Sequence, residues 1–375
     1  MLVFCVIASL YGLLLISSAS RVNGSPNTGQ LVVQSIGIVL GIGSFVLLSK
    51  SSLTFVRRRW IAFSVLGLIF ILSLLIFGKG GDETGNKAWI RFTALNIGIQ
   101  PAEVVKLPFI IIIAHLFSKD KETNVLNMPA NAFRAPLLFL VFAGTIVVVS
   151  SDLGSCLVYL FILVFMTFSA GIYRRWILLQ AGIAAGGIVF LWNFVLNYNQ
   201  KIRIRAPYDP SVDLTGTGIT WQPRQSARAI ANGGLFGQGL FKGKLTQAKA
   251  IPQQHTDFIF SAAGEELGFI GCMLILLLQL IIIGRCIYIG CRTTNKFSHL
   301  ICIGVAGMLI GQMTENIGMC LALLPVVGLT LPFFSYGGTS VMVCFAAVGL
   351  VAQVKYNGDF VPPKKAGRRR YVSSG

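Results

Sequence analysis

Asp257 sits in Ile251-Pro252-Gln253-Gln254-His255-Thr256-Asp257-Phe258-Ile259-Phe260, a polar turn that runs directly into an apolar stretch. A carboxylate flanked by side chains that exclude water has its pKa raised above the ordinary value of about 3.9, toward the range of a useful general base. The plainer reading is a structural carboxylate before a helix. His255, two residues earlier, could assist it or could be a packed histidine with its own partners.

The chain around this aspartate is basic. Residues 197–263 contain Lys201, Arg203, Arg205, Arg224, Arg228, Lys242, Lys244 and Lys249, against only Asp209, Asp213 and Asp257. Such a stretch is either a solvated loop or a site for an anion such as a phosphate, which Arg and Lys bind well. Tyr208, Trp221, Leu235, Phe236, Leu240 and Phe241 recur among the charges, and glycines cluster at Gly233-Gly234, Gly237, Gly239 and Gly243. This texture suits a segment that lies on a membrane and partly re-enters it, with glycines permitting tight turns and close backbone approach to a ligand.

Other polar groups fall within or beside apolar runs. Glu103 and Lys106 are three apart, on one helical face, and read as an internal ion pair or as a substrate contact. Asp152 follows an apolar run, Glu265-Glu266 open another, and Glu315-Asn316 lie inside a third. Ionisable groups in membrane spans are costly and usually functional. Glu265 and Glu266 also suit a helix N-terminus, and Asn316 suits a structural hydrogen bond.

The apolar runs are the elements that must position this chemistry. Hydrophobic residues make up 54% of the 375 and charged residues 12%, too few charges to cover a water-facing surface. Windows nearly free of charge, of about the length that crosses a bilayer, fall at about 1–19, 29–49, 60–78, 100–117, 135–150, 154–172, 176–196, 264–284, 298–321 and 336–354. The predicted fold is an all-α integral membrane bundle of about ten transmembrane helices. It forms a single domain over 1–355, with a large outer loop at about 197–263 between helices 7 and 8, and a basic tail over 356–375. Ser150-Ser151-Asp152 reads as a tight turn near the outer face.

The formal charge of +18 would point a soluble protein toward nucleic acid, but its distribution excludes that partner. With the N-terminus inside, the inward loops and the tail hold most of the basic residues, including Arg57, Lys119, Lys121, Arg134, Arg174, Lys296 and Arg368. The short outward segments hold only Arg21, Lys79, Lys87 and Arg91. This positive-inside pattern sets both termini in the cytoplasm, with the tail as a topology anchor against lipid headgroups. The first apolar run lacks a basic start and reads as a first helix rather than a signal peptide. The eight cysteines show no Cys-x-x-Cys spacing and read as packing residues, not as a disulfide framework or a metal site.

The ordered motifs then become specific. They run from Ser18-Ala19-Ser20 through Trp89-Ile90-Arg91, Gln100-Pro101-Ala102-Glu103-x-x-Lys106 and Asp152-Leu153-Gly154. The loop adds Asp209-Pro210, Gln225-Ser226-x-x-Ala229-Ile230, Gly233-Gly234-x-x-Gly237-x-Gly239 and the stretch from Pro252 to Phe260, followed by Gly264-Glu265-Glu266-Leu267-Gly268. Asn316-Ile317-Gly318-Met319, Leu324-Pro325-Val326-Val327-Gly328 and Leu331-Pro332-Phe333-Phe334-Ser335-Tyr336-Gly337-Gly338 close the series. Over nearly its whole length the chain resembles the SEDS family (shape, elongation, division and sporulation), which includes RodA, FtsW and SpoVE.

The resemblance implies a peptidoglycan glycosyltransferase that polymerises lipid II at the outer face of the bacterial cytoplasmic membrane. The donor would be a glycan on undecaprenyl pyrophosphate and the acceptor the 4-hydroxyl of another lipid II, joined with inversion into a β-1,4 bond. The family's catalytic aspartate falls on Asp257. Arg203, Arg205, Arg224, Arg228, Lys242 and Lys244 would supply the groups that stabilise the leaving pyrophosphate. Trp89, Glu103 and Lys106 would line the adjoining cavity, with Gln225, Ser226, His255 and Glu266 as further substrate-binding candidates. A divalent cation, Mg or Mn, could assist, although no cation cage is recognisable. The family acts with a class B penicillin-binding protein and other elongasome or divisome membrane proteins.

Departures are few. Gln253 stands where the family usually has glutamate, Ala102 replaces a common serine, Ala322 a frequent glycine, and Thr339 a serine. Lys244 and Thr246-Gln247 mix features that the resemblance associates with division and with elongation members. A lipid II flippase and a non-catalytic scaffold are the alternatives; the gathering of polar residues toward the outer side favours chemistry there over transport.

Overall fold

The computed structural model describes residues 1–21, 24–79, 88–92 and 97–356. Lys87 and the basic tail beyond Tyr356 lie outside the described residues. Among the described residues ten helices are long and apolar enough to cross a membrane. They are α1 (Leu2–Ala19), α2 (Thr28–Lys50), α3 (Trp60–Phe77), α4 (Pro101–Glu122), α5 (Pro129–Ser150), α6 (Leu153–Ala170) and α7 (Arg174–Phe194), then, after the large loop, Ile259–Cys291, Lys296–Cys320 and Gly338–Tyr356. Among the short helices of the loop, the two longest are α8 (Tyr198–Arg205) and α9 (Trp221–Gly233), and the last three spans are accordingly α10, α11 and α12.

Local sequence explains where these helices stop and start. Asn27, Asp152 and Asn295 each accept backbone N–H groups from the first turn of α2, α6 and α11, satisfying donors that a helix start leaves free. Ser151 takes a left-handed conformation between α5 and α6, and Gly171 does so after α6. Seven of the ten expected windows are matched to within two residues at each end; the fourth span runs on to Glu122 rather than ending near 117, and the eighth runs on to Cys291 rather than ending near 284. The fifth span starts at Pro129 rather than near 135. The eighth begins at Ile259, so the residues from 259 to 263 belong to a membrane helix and not to the loop.

Between α3 and α4 the chain forms a three-stranded antiparallel sheet, β1 (Gly78–Lys79), β2 (Trp89–Phe92) and β3 (Ile97–Ile99). Ile90 pairs with Ile99 and Arg91 with Gly98. The Thr339 hydroxyl donates to the Gly98 carbonyl at 2.8 Å, which ties this sheet to the start of α12.

The buried core runs through α4, α6, α10, α11 and α12. Helices α2 and α12 press together where a Cβ on Gly37 would lie 2.7 Å from Gly338 Cα, the close backbone approach that small residues allow between membrane helices. Helix α7 has no buried residue in Arg174–Phe190. It is attached near its first turns, where Trp176 Nε1 donates to the Asn127 carbonyl at 3.0 Å and Gln180 to the Ala132 carbonyl at 3.1 Å.

Candidate active site

Asp257 occupies a turn built by its own neighbours. Gln253 adopts a positive φ of 54°, and its carbonyl accepts the N–H groups of Thr256 at 3.1 Å and Asp257 at 3.0 Å. Phe258, Ile259 and Phe260 are buried and anchor the start of α10, so the carboxylate stands just outside that helix. From α11, Asn316 Nδ2 donates to the main-chain carbonyl of Asp257 at 2.7 Å and to that of Leu329 at 2.6 Å. The structural hydrogen bond expected for Asn316 is thus present, and it fixes the catalytic candidate.

The carboxyl faces the 327–329 loop, where a Cβ on Gly328 (φ 69°) would lie 3.4 Å from Asp257 Oδ2. The same loop packs on the start of α6, with Val327 O only 2.7 Å from where a Cβ on Gly154 would stand. Asp152, which caps α6, and Asp257 therefore border the same loop. Burial pushes the Asp257 carboxyl up from 3.8 to about 6; the Thr256 hydroxyl opposes this, and the negative charge of Asp152 adds to it. Although the side chain keeps part of its surface open, the protein packed around it makes desolvation dominant.

A polar line continues inward from there. Asp152 is held by Ser155 through its N–H at 2.9 Å and its hydroxyl at 2.7 Å, and by Gln100 at 2.9 Å. Gln100 precedes Glu103 and Lys106, which are 3% and 0% exposed and form a salt bridge. Gln312 of α11 approaches Glu103 at 3.4 Å. Gln100 stood in the motif without an assigned role. Ser155 and Gln312 carried only the weak signal of a polar residue in an apolar run.

His255 does not point its bonds at the carboxylate. Its ring Nε2 lies 3.2 Å from the Gln30 amide, and its carbonyl accepts the Tyr336 N–H at 2.9 Å. Burial lowers its pKa, which leaves a neutral imidazole joining α2 and the 336 turn to the Asp257 segment. Trp89 packs on Gly98 of the small sheet.

The loop's basic residues divide by helix face. On α9, Trp221, Arg224 and Arg228 are exposed, while Gln225, Ser226 and Ala229 turn into the protein. Ser226 is fully buried; it shares a hydrogen bond with Ser261 and donates to the Cys320 carbonyl at 2.6 Å. Arg203, Arg205, Lys242 and Lys244 are exposed, with Arg205 paired to Asp209. Asp213 accepts N–H groups from Gly216, Gly218 and Thr220 and organises the turn before α9; these bonds, led by the Thr220 hydroxyl, hold its carboxyl down at about 2.

Glu265 and Glu266 do not start a helix. They lie fully buried within α10 and clamp the returning loop. Glu265 accepts the N–H groups of Leu245 and Thr246, each at 2.8 Å, and Glu266 accepts from Gln247 at 2.8 Å and Ser18 at 2.8 Å. Just beyond them α10 breaks at Gly268 (φ 67°, ψ −163°). The backbone groups freed by the break pair with the glycine-rich segment. Gln238 N–H reaches Glu265 O at 2.9 Å and Gly239 N–H reaches Glu266 O at 3.0 Å, while Phe269 N–H reaches Gly234 O at 2.8 Å. A Cβ on Gly237 would lie 2.2 Å from Glu266 O. The close approach expected of these glycines is therefore to the protein's own broken helix, because side chains would hold the two backbones apart.

The fold is that of a polytopic membrane protein, and a half-buried carboxylate backed by a buried polar line, beside an exposed basic loop, marks a candidate site at one end of its bundle. A family model described as cell cycle protein, FtsW, RodA and SpoVE, matches residues 1–359, and the chain belongs to that family. It is 33% identical over 363 residues to a probable peptidoglycan glycosyltransferase FtsW of Geobacter metallireducens, covering 94% of this chain and 93% of that one. It is 32% identical over 291 residues to the peptidoglycan glycosyltransferase MrdB of Escherichia coli, covering 76% and 75%. Among solved structures, a chain of a peptidoglycan synthase complex superposes with a TM-score of 0.78 at 26% identity, over 95% of this chain and 97% of that one. The rod shape determining protein RodA of Thermus thermophilus superposes with 0.66 at 25%, over 95% and 96%.

Proposed function

We propose that the chain is a multi-pass enzyme of the bacterial cytoplasmic membrane that polymerises lipid II into β-1,4 glycan strands at the outer face. Asp257 is the general base. Its carboxylate takes the proton of the acceptor's 4-hydroxyl as that oxygen attacks the donor's anomeric carbon. The bond from that carbon to the pyrophosphate oxygen breaks, its electron pair leaves with the pyrophosphate, and the α linkage becomes β. The developing anion is met by exposed cations of the loop, drawn from Arg203, Arg224, Arg228, Lys242 and Lys244. Arg205 is already engaged with Asp209.

The observation that carries this reading is the placement of Asp257. A carboxyl raised to about 6 is ionised at neutral pH, yet basic enough to accept a proton. Glu103 and Lys106 form a buried pair behind Gln100 and Asp152 and support the site from within. Ser226 and Glu266 act by holding α9 and the loop in place, since their polar atoms bond the protein's own groups, and Gln225 lies buried on the same inward face of α9 as Ser226. Among the described residues no three His, Cys, Asp or Glu side chains converge as a metal cage; a cation assisting the reaction would depend on the substrate's pyrophosphate for most of its ligands.

A class B penicillin-binding protein is the proposed partner, supported by the superposition on a chain of a peptidoglycan synthase complex. The test is polymer formation from labelled lipid II by purified protein with that partner, comparing wild type with Asp257→Asn. Polymer from the wild type alone supports the reading. Equal polymer from a folded Asp257→Asn protein would move the assignment to a flippase or a scaffold.

A further inference from the structure

The end of the bundle opposite Asp257 holds a cavity of about 250 Å³ that the glycosyl transfer does not use. It forms where the C-terminal ends of α4 and α6 meet the loop between α10 and α11, and its walls include Lys121, Ser169, Ala170, Thr293, Lys296 and His299. Lys121 Nζ donates to the Ala170 carbonyl at 2.9 Å, and Lys296 Nζ donates to the Lys121 carbonyl at 3.2 Å. Neutral partners thus fix both ammonium groups without balancing their charge. The nearby acids are already taken, Glu122 by Arg57 at 2.7 Å and Asp120 by Arg134 at 3.3 Å. Among the described residues no carboxylate forms an ion pair with Lys121 or Lys296.

The rest of the lining sharpens the specificity. Thr293 Oγ1 is shielded from water and has no hydrogen-bond partner among the described residues, a state that normally signals a missing ligand or water. His299 is committed to the scaffold: Nδ1 donates to the Gly290 carbonyl at 2.8 Å, and Nε2 accepts from the Ser169 hydroxyl at 2.6 Å. The volume is below the range of drug-sized pockets and suits a small polar group.

We propose that this cavity binds a phosphate group, with Lys121, Lys296 and Thr293 as its donors. Two sources share that chemistry, the headgroup of an anionic phospholipid and free phosphate. Its position at the end of the membrane bundle, beside the exposed Lys119 and Arg134, favours the headgroup, which basic pockets between membrane helices recognise. The proposal stands independently of the assignment of Asp257.

The full-length protein in phosphatidylcholine nanodiscs provides the test. One arm titrates phosphatidylglycerol into the discs and counts bound lipid by native mass spectrometry. The other adds inorganic phosphate to lipid-neutral discs and follows binding by phosphorus NMR. Lys296→Gln and Thr293→Val are compared with Lys119→Gln, which removes an exposed charge at the same end without touching the cavity. Saturable binding that weakens roughly tenfold in Lys296→Gln, as expected on losing one charge-assisted hydrogen bond, and weakens also in Thr293→Val but not in Lys119→Gln, supports the site. The arm that shows it identifies the source. Binding that falls equally in Lys296→Gln and Lys119→Gln, or no binding in either arm, overturns the proposal. Because Lys296 and Thr294 lie at the surface, a companion Thr294→Ala protein checks that the loop tolerates substitution.

Discussion

The side-chain amide of Asn316 bridges two main-chain carbonyls, that of Asp257 at 2.7 Å and that of Leu329 at 2.6 Å. One residue on α11 thereby sets the spacing between the carboxylate and the loop it faces. Neither carbonyl has to be solvated, and the catalytic candidate is held from behind, leaving its side chain to react.

Replacing Asn316 by Ala removes both donors. With about 1–3 kcal/mol lost for each carbonyl left unsatisfied, thermal unfolding should shift down clearly. Turnover should fall more than apparent lipid II affinity, because the base is displaced while the loop cations remain. A fall in affinity with unchanged turnover would contradict this positioning role.

The rate of polymerisation should depend on one group of pKa about 6, the value to which burial raises Asp257. Above that pH the carboxylate is ionised and the rate is flat; below it the rate drops tenfold per unit. A pH–rate profile measured under saturating lipid II reads this directly, and a break near 4 would place the base in a solvated setting.

The same shift has a stability sign. An acid whose folded pKa exceeds its unfolded value of about 3.9 disfavours the native state once it ionises. The penalty is absent below about pH 4, grows through pH 6 and persists above it, reaching about 2 to 3 kcal/mol. Asp257→Asn should therefore melt higher than wild type at pH 7.5 and match it near pH 4. Melting curves at the two pH values, with polymerisation lost in the variant at both, check the trade.

Lys106→Met should destabilise by about 3 to 5 kcal/mol, since it strands Glu103 in a buried site. The double variant Glu103→Leu/Lys106→Met should recover most of that loss, because a buried pair and an apolar replacement are close in free energy. Polymerisation in the double variant should stay at least about tenfold below wild type, as the charges of the pair act on Asp152. Recovery of activity along with stability would make the pair purely architectural.

Gly268→Ala should be among the most damaging single-methyl changes. The added Cβ would lie 2.3 Å from Gly237 N and 2.6 Å from Leu235 O, at a φ of 67°; strain and overlap together cost at least about 3 kcal/mol. Gly186→Ala, with open space around it on α7, should leave unfolding almost unchanged. Equal melting of the two variants would show that the loop and the broken helix do not depend on each other.

Much of this site is legible in the residues themselves. Asp257 stands out because a polar turn meets apolar Phe258-Ile259-Phe260, and the ten spans follow from charge-free windows of bilayer length. What stays hidden depends on partners distant in sequence. Glu265 and Glu266 read as a helix start because acids favour that position, yet the helix begins at Ile259 and the two carboxylates grip Leu245, Thr246 and Gln247. The three short strands between Gly78 and Ile99 leave too few alternating residues to be read as a sheet. The inward turn of Ser226 depends on Ser261 and Cys320, which periodicity alone does not bring to mind.

The break at Gly268 also bears on how the protein is made. Hydrocarbon offers no partner to a bare peptide group, so a helix interrupted there could not enter a bilayer as an autonomous rod. The segment that supplies its missing bonds, Gly234 to Gly239, precedes it in the chain and has left the ribosome by the time α10 emerges. The patch is synthesised before the gap it closes, and the order of translation becomes part of the instructions for insertion.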